Sequence, residues 1–455
     1  MKTISKVLLV SMLLCLSTFQ ASAQQMRDIT TQKLVEDMGL GVNLGNTFES
    51  QSGNVNNIET AWGSPAITRE IIAVYPSVGF KTVRVPVRWT NAMSGNNAGG
   101  TYTINPTLLN RVQEVVDWIL DEDMYVILNQ HHEKDWMTNN MCNDSAEVVK
   151  KYERIWEQIA ERFKSYGDKL VFEAMNEEAK WECAWEQWGS KNSQAEKERA
   201  FGFLHNFNQR FVNLVRGSGG NNDKRHLLLS AYDVNIDLSF DSMAKWPNDN
   251  RFAVSIHYYD PFSFTHSDGS SSWSWAGTTM AWGTAAEVND LSNAMNKLKT
   301  NFVDKGTPVI IGEYGVAWEG LARDQAEVRK YTLAVAKAAH DRGILPVLWD
   351  TQLDTPSEPI YYFNRRVPEY PDKELVAGFK TIAGISSSSN DGSSSSTSSS
   401  SSSALTRILS EKMQYGSSAV IEIYNLKGNK VSGTLPSGVY IEKKRGMPSK
   451  IFIVK

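Results

Sequence analysis

A (β/α)8 TIM barrel, an α/β fold, is what this sequence predicts for most of its length, and three observations predict it. Eight short apolar runs recur along the chain, amphipathic helix patterns lie between them, and residues 24–385 pass without a break in composition. Those roughly 360 residues are too many for a small sandwich and ordinary for one large barrel.

The runs are Leu40–Gly45, Lys81–Val87, Tyr125–Gln130, Leu170–Met175, His226–Ala231, Phe252–His257, Pro308–Ile311 and Ile344–Trp349. Near-continuous apolar stretches of this length suit parallel strands buried on both faces. Two intervening helices are clear. Leu108, Leu109, Val112, Val115, Val116 and Ile119 share one face, as do Val148, Tyr152, Ile155, Ile159 and Phe163. Asn105-Pro106 supplies an N-cap followed by proline at the first helical position. The connection between the fifth and sixth runs is only weakly helical.

The chain opens with Lys2 and Lys6, an apolar run from Val7 to Leu16, and Ala21-Ser22-Ala23. Residues 1–23 therefore read as a secretory signal peptide, which predicts a secreted, extracellular or cell-surface protein. Cys15 follows Leu14, where a lipoprotein signal requires a small residue, and this argues against lipid anchoring. No later segment is long and apolar enough to span a bilayer.

After the barrel, residues 386–403 are almost all serine and are expected to act as a linker. Residues 404–455 read as a small all-β unit, with Ala419–Tyr424, Gly438–Ile441 and Lys450–Val454 as strands and Leu426–Asn429 as a turn. This tail carries nine Lys and Arg against three Glu, a net of +6 that leaves −10 for the remainder of a chain whose total is −4. That mild total gives no footprint for nucleic acid.

In a barrel the C-terminal strand ends converge on one mouth. The polar residues expected there are Asn43, Arg84, His131, His132, Asn176, Glu177, His257, Tyr259, Glu313 and Trp349. Glu177 and Glu313 each follow a strongly apolar run, poorly placed for packing and well placed to meet a ligand. Two carboxyls from different strands are what glycoside hydrolysis requires. Arg84, inside Val83–Val87, needs a buried anion, either Glu313 or a purely structural partner. Strand alternation sends His131 and His132 to opposite sides, so one is expected to face fully into the mouth. His257 and Tyr259 share a face.

Tryptophans 62, 89, 136, 181, 185, 188, 273, 275, 282 and 349 fall at or after strand ends, where flat rings stack on sugars; about half are expected to be packing instead. Trp349, closing the last strand, is the leading stacking candidate. Asn43, Asn46, Glu49 and Trp62 are candidate contacts for a more distant sugar. Cys142 and Cys183 lie on loops after adjacent strands, as a disulfide or as two separate thiols.

Taken together, Gly41–Phe48, Glu59–Gly63, Val83–Val87, Val126–Glu133, Phe172–Glu177, His257–Phe264 and Ile310–Gly315 resemble glycoside hydrolase family 5, the cellulase family of retaining endo-glycanases. The resemblance spans about Val35 to Ala383. It implies Glu177 as acid/base and Glu313 as nucleophile, supported by Arg84, His131, Asn176, His257, Tyr259 and Trp349, acting on a β-glucan polysaccharide without metal or organic cofactor. One departure is visible: family members usually carry proline after the acid/base, and here it is Glu178, expected to face solvent or a loop cation. The tail resembles sorting domains of bacterial cargo handled by secretion machinery and often fixed at the surface; a small carbohydrate-binding module is the alternative.

Two rival readings have less behind them. A zinc site built on His131, His132 and His257 lacks a carboxylate spaced to complete the ligand set. A non-catalytic glycan-binding protein would not need both glutamates.

Overall fold

The computed structural model describes residues 26–267, 269, 274–316, 323–351 and 362–385, and four further strands between 421 and 454 by backbone alone. The predicted signal peptide and serine linker lie outside these residues. Contacts divide the chain into two units that part between Ser387 and Ser388, inside the serine run.

In the first unit, eight parallel strands close into a barrel: β1 (Gly41–Asn43), β2 (Thr82–Val85), β3 (Tyr125–Asn129), β4 (Leu170–Glu173), β5 (Leu227–Ser230), β6 (Phe252–Tyr258), β7 (Val309–Tyr314) and β8 (Leu345–Leu348). Each falls on one of the eight expected runs. Neighbours in sequence are neighbours in the barrel, and β8 closes on β1 through Gly41 opposite Val347 and Val42 opposite Leu348.

Strand alternation sorts the core into two layers. Val126 and Leu128 of β3 face outward into the large cluster shared with the surrounding helices. Tyr125 and Ile127 face inward, with Val171, Leu228, Ala253, Ile310, Leu345 and Val347. A helix before the first strand, Thr31–Met38, adds Leu34, Val35 and Met38 to that inner cluster.

The predicted helices appear at Pro106–Asp121, where Asn105 caps the Thr107 amide, and at Ser145–Phe163. Two later helices, Gln194–Gly217 and Ala285–Asn301, begin with reciprocal capping boxes, Ser193 with Glu196 and Thr284 with Glu287. Between β5 and β6 a single 3-10 turn, Tyr232–Val234, and the four-residue helix Ile236–Ser239 form, in keeping with the weak periodicity there. Among the described residues no helix is long and apolar enough to cross a membrane.

Cys142 and Cys183 are joined as a disulfide, with Cα atoms 6.1 Å apart, which decides between the two sequence readings. The bridge ties the loop after β3 to the loop after β4 across a sequence separation of 41 residues. In the chain-entropy model, closing a loop of that length removes about 4 kcal/mol of unfolded-state freedom.

The second unit holds β9 (Ile421–Asn425), β10 (Lys430–Val431), β11 (Gly438–Lys444) and β12 (Lys450–Val454), an antiparallel sheet in the order β10-β9-β11-β12. Its strands match the expected β tail.

Candidate active site

Arg84 organises the centre of the barrel mouth. It lies in β2, fully buried, and its guanidinium donates from Nε to Glu173 Oε2 at 2.7 Å, from Nη1 to Glu313 Oε1 at 2.8 Å and to Asn43 Oδ1 at 3.0 Å, and from Nη2 to Asn176 Oδ1 at 2.8 Å. Burial disfavours this cation, but Glu173 and Glu313 outweigh burial and raise its pKa. The arginine therefore serves both the structural pairing and the pairing with Glu313. Removing Arg84 would leave Glu173 and Glu313 without their cation, a loss of about 3–5 kcal/mol.

Glu313 sits in β7 and is nearly buried. Its second oxygen accepts from the Tyr259 hydroxyl at 3.0 Å, so both oxygens are held by donors. A register shift between Ile256 and His257 in the β6–β7 pairing sets His257 directly opposite Glu313. Bulges re-aim side chains in this way beside functional sites. His257 Nδ1 lies 3.1 Å from Glu177 Oε1, within hydrogen-bond reach, and 3.6 Å from Glu313 Oε2. Gly312, next to Glu313, leaves room for this ring: a Cβ there would lie 3.3 Å from His257 Nε2.

Glu177 stands on the loop just past β4 with 38% of its side chain exposed. Burial of the carboxyl works to raise its pKa. The hydrogen bond and charge of His257 and the ammonium of Lys134, 3.4 Å from Oε2, outweigh that and hold it well below the usual carboxylate range. One donor atom each of Glu177, His257 and Glu313 lies within 4.8 Å of the others. That trio has the spacing of a metal site, but Arg84 and Tyr259 already neutralise and orient Glu313.

The sequence-predicted residues separate into those that reach the mouth and those that support it. His131 and His132 both arrive, correcting the expectation from alternation. His132 has a left-handed φ of 57°, which swings its ring beside that of His131, with centroids 4.4 Å apart. His131 is buried; burial first, then nearby His132 and Arg84, push its pKa well below 6.5 and keep it neutral. Its Nε2 lies 3.2 Å from Asn176 Nδ2, and Trp349 stacks on its ring at 5.7 Å and 8°. Trp62 lies 5.6 Å from His132, half-buried.

Asn43 does not face a ligand. Its amide accepts from Arg84 and donates to Gly312 O at 2.9 Å beneath the site, so both its ends are used. Glu49 is likewise buried, taking the amide protons of Asn46 and Thr47, and burial pushes its carboxyl up to about 7. Asn43 ends β1 with its side chain inside the barrel, whereas Glu49 is buried by the loop after β1 folding back on itself.

Glu178 also departs from expectation. It does not face solvent but is fully buried, with the cation Lys134 near enough to favour its charge, and it accepts from Glu133 N at 2.8 Å and Asn176 N at 3.0 Å. Glu173 was missed, although a glutamate inside the apolar run Leu170–Ala174 carried the same signal as Arg84; it accepts from Ser255 Oγ at 2.8 Å as well as from Arg84. Lys134 had no signal beyond its loop position.

Of the tryptophans, Trp89, Trp136, Trp181, Trp185 and Trp282 are buried packing, and Trp273 lies outside the described residues. Trp188 and Trp275 are 92% and 70% exposed, on the rim of a cavity of about 870 Å³ that runs from Glu177 and His257 past Lys134 and Asp233.

A parallel barrel whose strand ends present two close carboxyls, cradled by an arginine, histidines and a tyrosine below exposed tryptophans, defines the class of barrel glycoside hydrolases. Residues 45–354 match the family model described as cellulase, glycosyl hydrolase family 5. The chain belongs to that family and is a glycoside hydrolase of the endoglucanase kind. It is 36% identical over 325 residues to endoglucanase B of Clostridium cellulovorans, covering 71% of this chain and 69% of that one. It is 31% identical to a xyloglucan-specific endo-beta-1,4-glucanase of Bacteroides ovatus, covering 71% and 66%. Among solved structures it resembles a broad-specificity endoglucanase from an uncultured bovine rumen ciliate, with a TM-score of 0.67 at 34% identity over 78% of this chain and 98% of that one.

Proposed function

We propose that this enzyme cleaves internal β-1,4 bonds of a glucan backbone by double displacement, with Glu313 as nucleophile and Glu177 as acid/base. The observation that carries the reading is the spacing of the two carboxyls, with oxygens within 4.8 Å of each other. Retaining pairs stand about 5–5.5 Å apart, whereas inverting pairs leave about 6.5–9.5 Å for a water.

Glu313, its charge directed by Arg84 and Tyr259, attacks the anomeric carbon. Glu177 gives its proton to the departing oxygen, and the glycosyl–Glu313 ester forms as the glycosidic bond breaks. Glu177 then takes a proton from water, which attacks the same carbon and frees Glu313. An amide nitrogen carries two hydrogens, and Asn176 gives one to His131, leaving the other for a sugar hydroxyl beside the reacting carbon. Trp349 and Trp62 offer ring faces on the nucleophile side; Trp188 and Trp275 offer them on the acid/base side. The cavity of about 870 Å³ beside Glu177 and His257 gives a polymer room to extend past the acid/base.

Proton NMR of the first products from a soluble cello-oligosaccharide tests the mechanism. The β-anomer is expected first; the α-anomer first would overturn retention. Running cellulose derivative, mixed-linkage glucan, xyloglucan and xylan side by side ranks the backbones, and the Bacteroides relative makes xyloglucan the first alternative.

The signal-like N-terminus supports export of the enzyme, and the basic β tail supports sorting or surface attachment through secretion machinery. Deleting Ala404–Lys455 is expected to leave hydrolysis of soluble glucan unchanged and to block delivery to the cell surface. Normal delivery with lost pelleting on cellulose would identify a binding module instead.

A further inference from the structure

We propose that Glu178 is a positioning residue for the acid/base: its buried carboxyl staples the loop bearing His131, His132 and Lys134 to the loop bearing Asn176 and Glu177. The proposal rests on the assignment of Glu177 as acid/base. One oxygen accepts the Glu133 amide proton at 2.8 Å, and the other accepts that of Asn176 at 3.0 Å. The first of these amides belongs to the residue beside Lys134, and the second to the residue beside Glu177. A single side chain therefore fixes the separation of the acid/base from the ammonium that faces it at 3.4 Å.

Nothing about packing calls for a carboxyl here. A buried charge is unfavourable unless its lone pairs are used, and an apolar residue would fill the same space without that penalty. Asn176 N also lies 3.1 Å from Gln130 O, so it keeps a partner without Glu178. The link that only Glu178 supplies is the one to Glu133 N, across from one loop to the other. The disulfide between Cys142 and Cys183 joins the same two loops further out, so the staple acts near the reacting atoms and the bridge at the rim.

Ionisation gives an independent handle on the same group. Burial pushes the Glu178 carboxyl up to about 7; the backbone amide of Glu133, Lys134 and the residue's own amide oppose burial, and the charge of buried Glu133 adds to it. The charged groups around it come from several elements: Glu133 and Lys134 after β3, Arg88 behind Glu133, Glu177 on its own loop, and Asp233 after β5. An acid whose folded pKa is raised contributes stability below its unfolded value, near 4.5, and loses it as pH rises through about 7.

The test compares Glu178→Gln and Glu178→Ala in the full chain with Glu177→Gln, on a soluble glucan and on an aryl cellobioside with a dinitrophenol leaving group that needs no acid. Glutamine keeps the shape and one acceptor, and guards against a variant that fails to fold. For Glu178→Ala kcat on glucan is expected to fall about 10- to 100-fold with KM within about twofold, and for Glu178→Gln, which keeps an acceptor for Glu133 N, by less; kcat/KM on the aryl substrate, which reports the first step alone, loses less than about threefold in both. Glu178→Gln is also expected to flatten the fall in melting temperature between pH 4.5 and 7. Equal losses in kcat/KM on both substrates, or none on either, would overturn the proposal. If Glu177→Gln keeps full activity on glucan, the acid/base assignment fails and the staple falls with it; if that control loses activity while both Glu178 variants match the parent, the staple alone is wrong.

Discussion

Replacing Glu313 with alanine is expected to abolish hydrolysis of a soluble cellulose derivative, with a loss in kcat on the order of 10⁴- to 10⁶-fold. The carboxylate is the one group with both oxygens oriented, by Arg84 at 2.8 Å and Tyr259 at 3.0 Å, and with an approach to the space beside Glu177. No neighbour can replace it. Glu173 is the nearest carboxylate in the same network, but it is fully buried and committed to Arg84 and Ser255. The variant should still fold, because Arg84 keeps Glu173, Asn43 and Asn176 as partners. A reducing-sugar assay with circular dichroism on the same samples checks both halves of the statement. Equal sugar release from variant and parent would mean that the barrel binds glycans without cleaving them through this residue. Added azide offers a second readout: a small anion entering the space left by the side chain should attack the aryl cellobioside from the nucleophile's face and give the α-glycosyl azide.

How far the site could be read in advance follows from which physical rule governs each residue. Strands buried on both faces leave a continuous apolar signature, which is why all eight were visible and why glutamates at or just past their ends stood out. Arg84 was legible on the same ground, as a cation inside an apolar run. Its partner Glu173 carried an equal signal, and both lie in the barrel's interior rather than at its tip. What alternation alone gets wrong is backbone that leaves the strand. His132, at φ 57°, turns its ring to the side that a regular strand denies it. The loop after β1 folds Glu49 inward, and the loop after β4 buries Glu178, because unpaired amide protons there need acceptors. Loop hydrogen bonding depends on neighbours far away in sequence, such as Glu178 and Glu133, and no local pattern reports it. The disulfide was left open for the same reason, since spacing along the chain does not fix the distance between two loops.

Glu177→Ala is expected to lower kcat on polysaccharide about 10²- to 10⁴-fold and to spare the first step on an aryl glycoside with a good leaving group. The asymmetry follows from chemistry: a dinitrophenolate departs without a proton, whereas a sugar oxygen does not. The wild-type pH dependence should expose the same residue. His257 at 3.1 Å and Lys134 at 3.4 Å hold the carboxyl ionised, although burial opposes them. An acid catalyst must begin protonated, so a bound sugar has to shift this balance. A ring seated over Glu177 excludes water and separates it from Lys134, and both changes favour the neutral carboxyl. The alkaline limb of kcat, which reports the complex, should therefore lie at higher pH than that of kcat/KM, which reports the free enzyme. Lys134→Met removes one of the two groups that keep Glu177 charged, so the kcat/KM limb should move up toward the kcat limb. Coincident limbs in the parent, unmoved by Lys134→Met, would show that Glu177 carries the same proton affinity with and without substrate, and that the acid is another group.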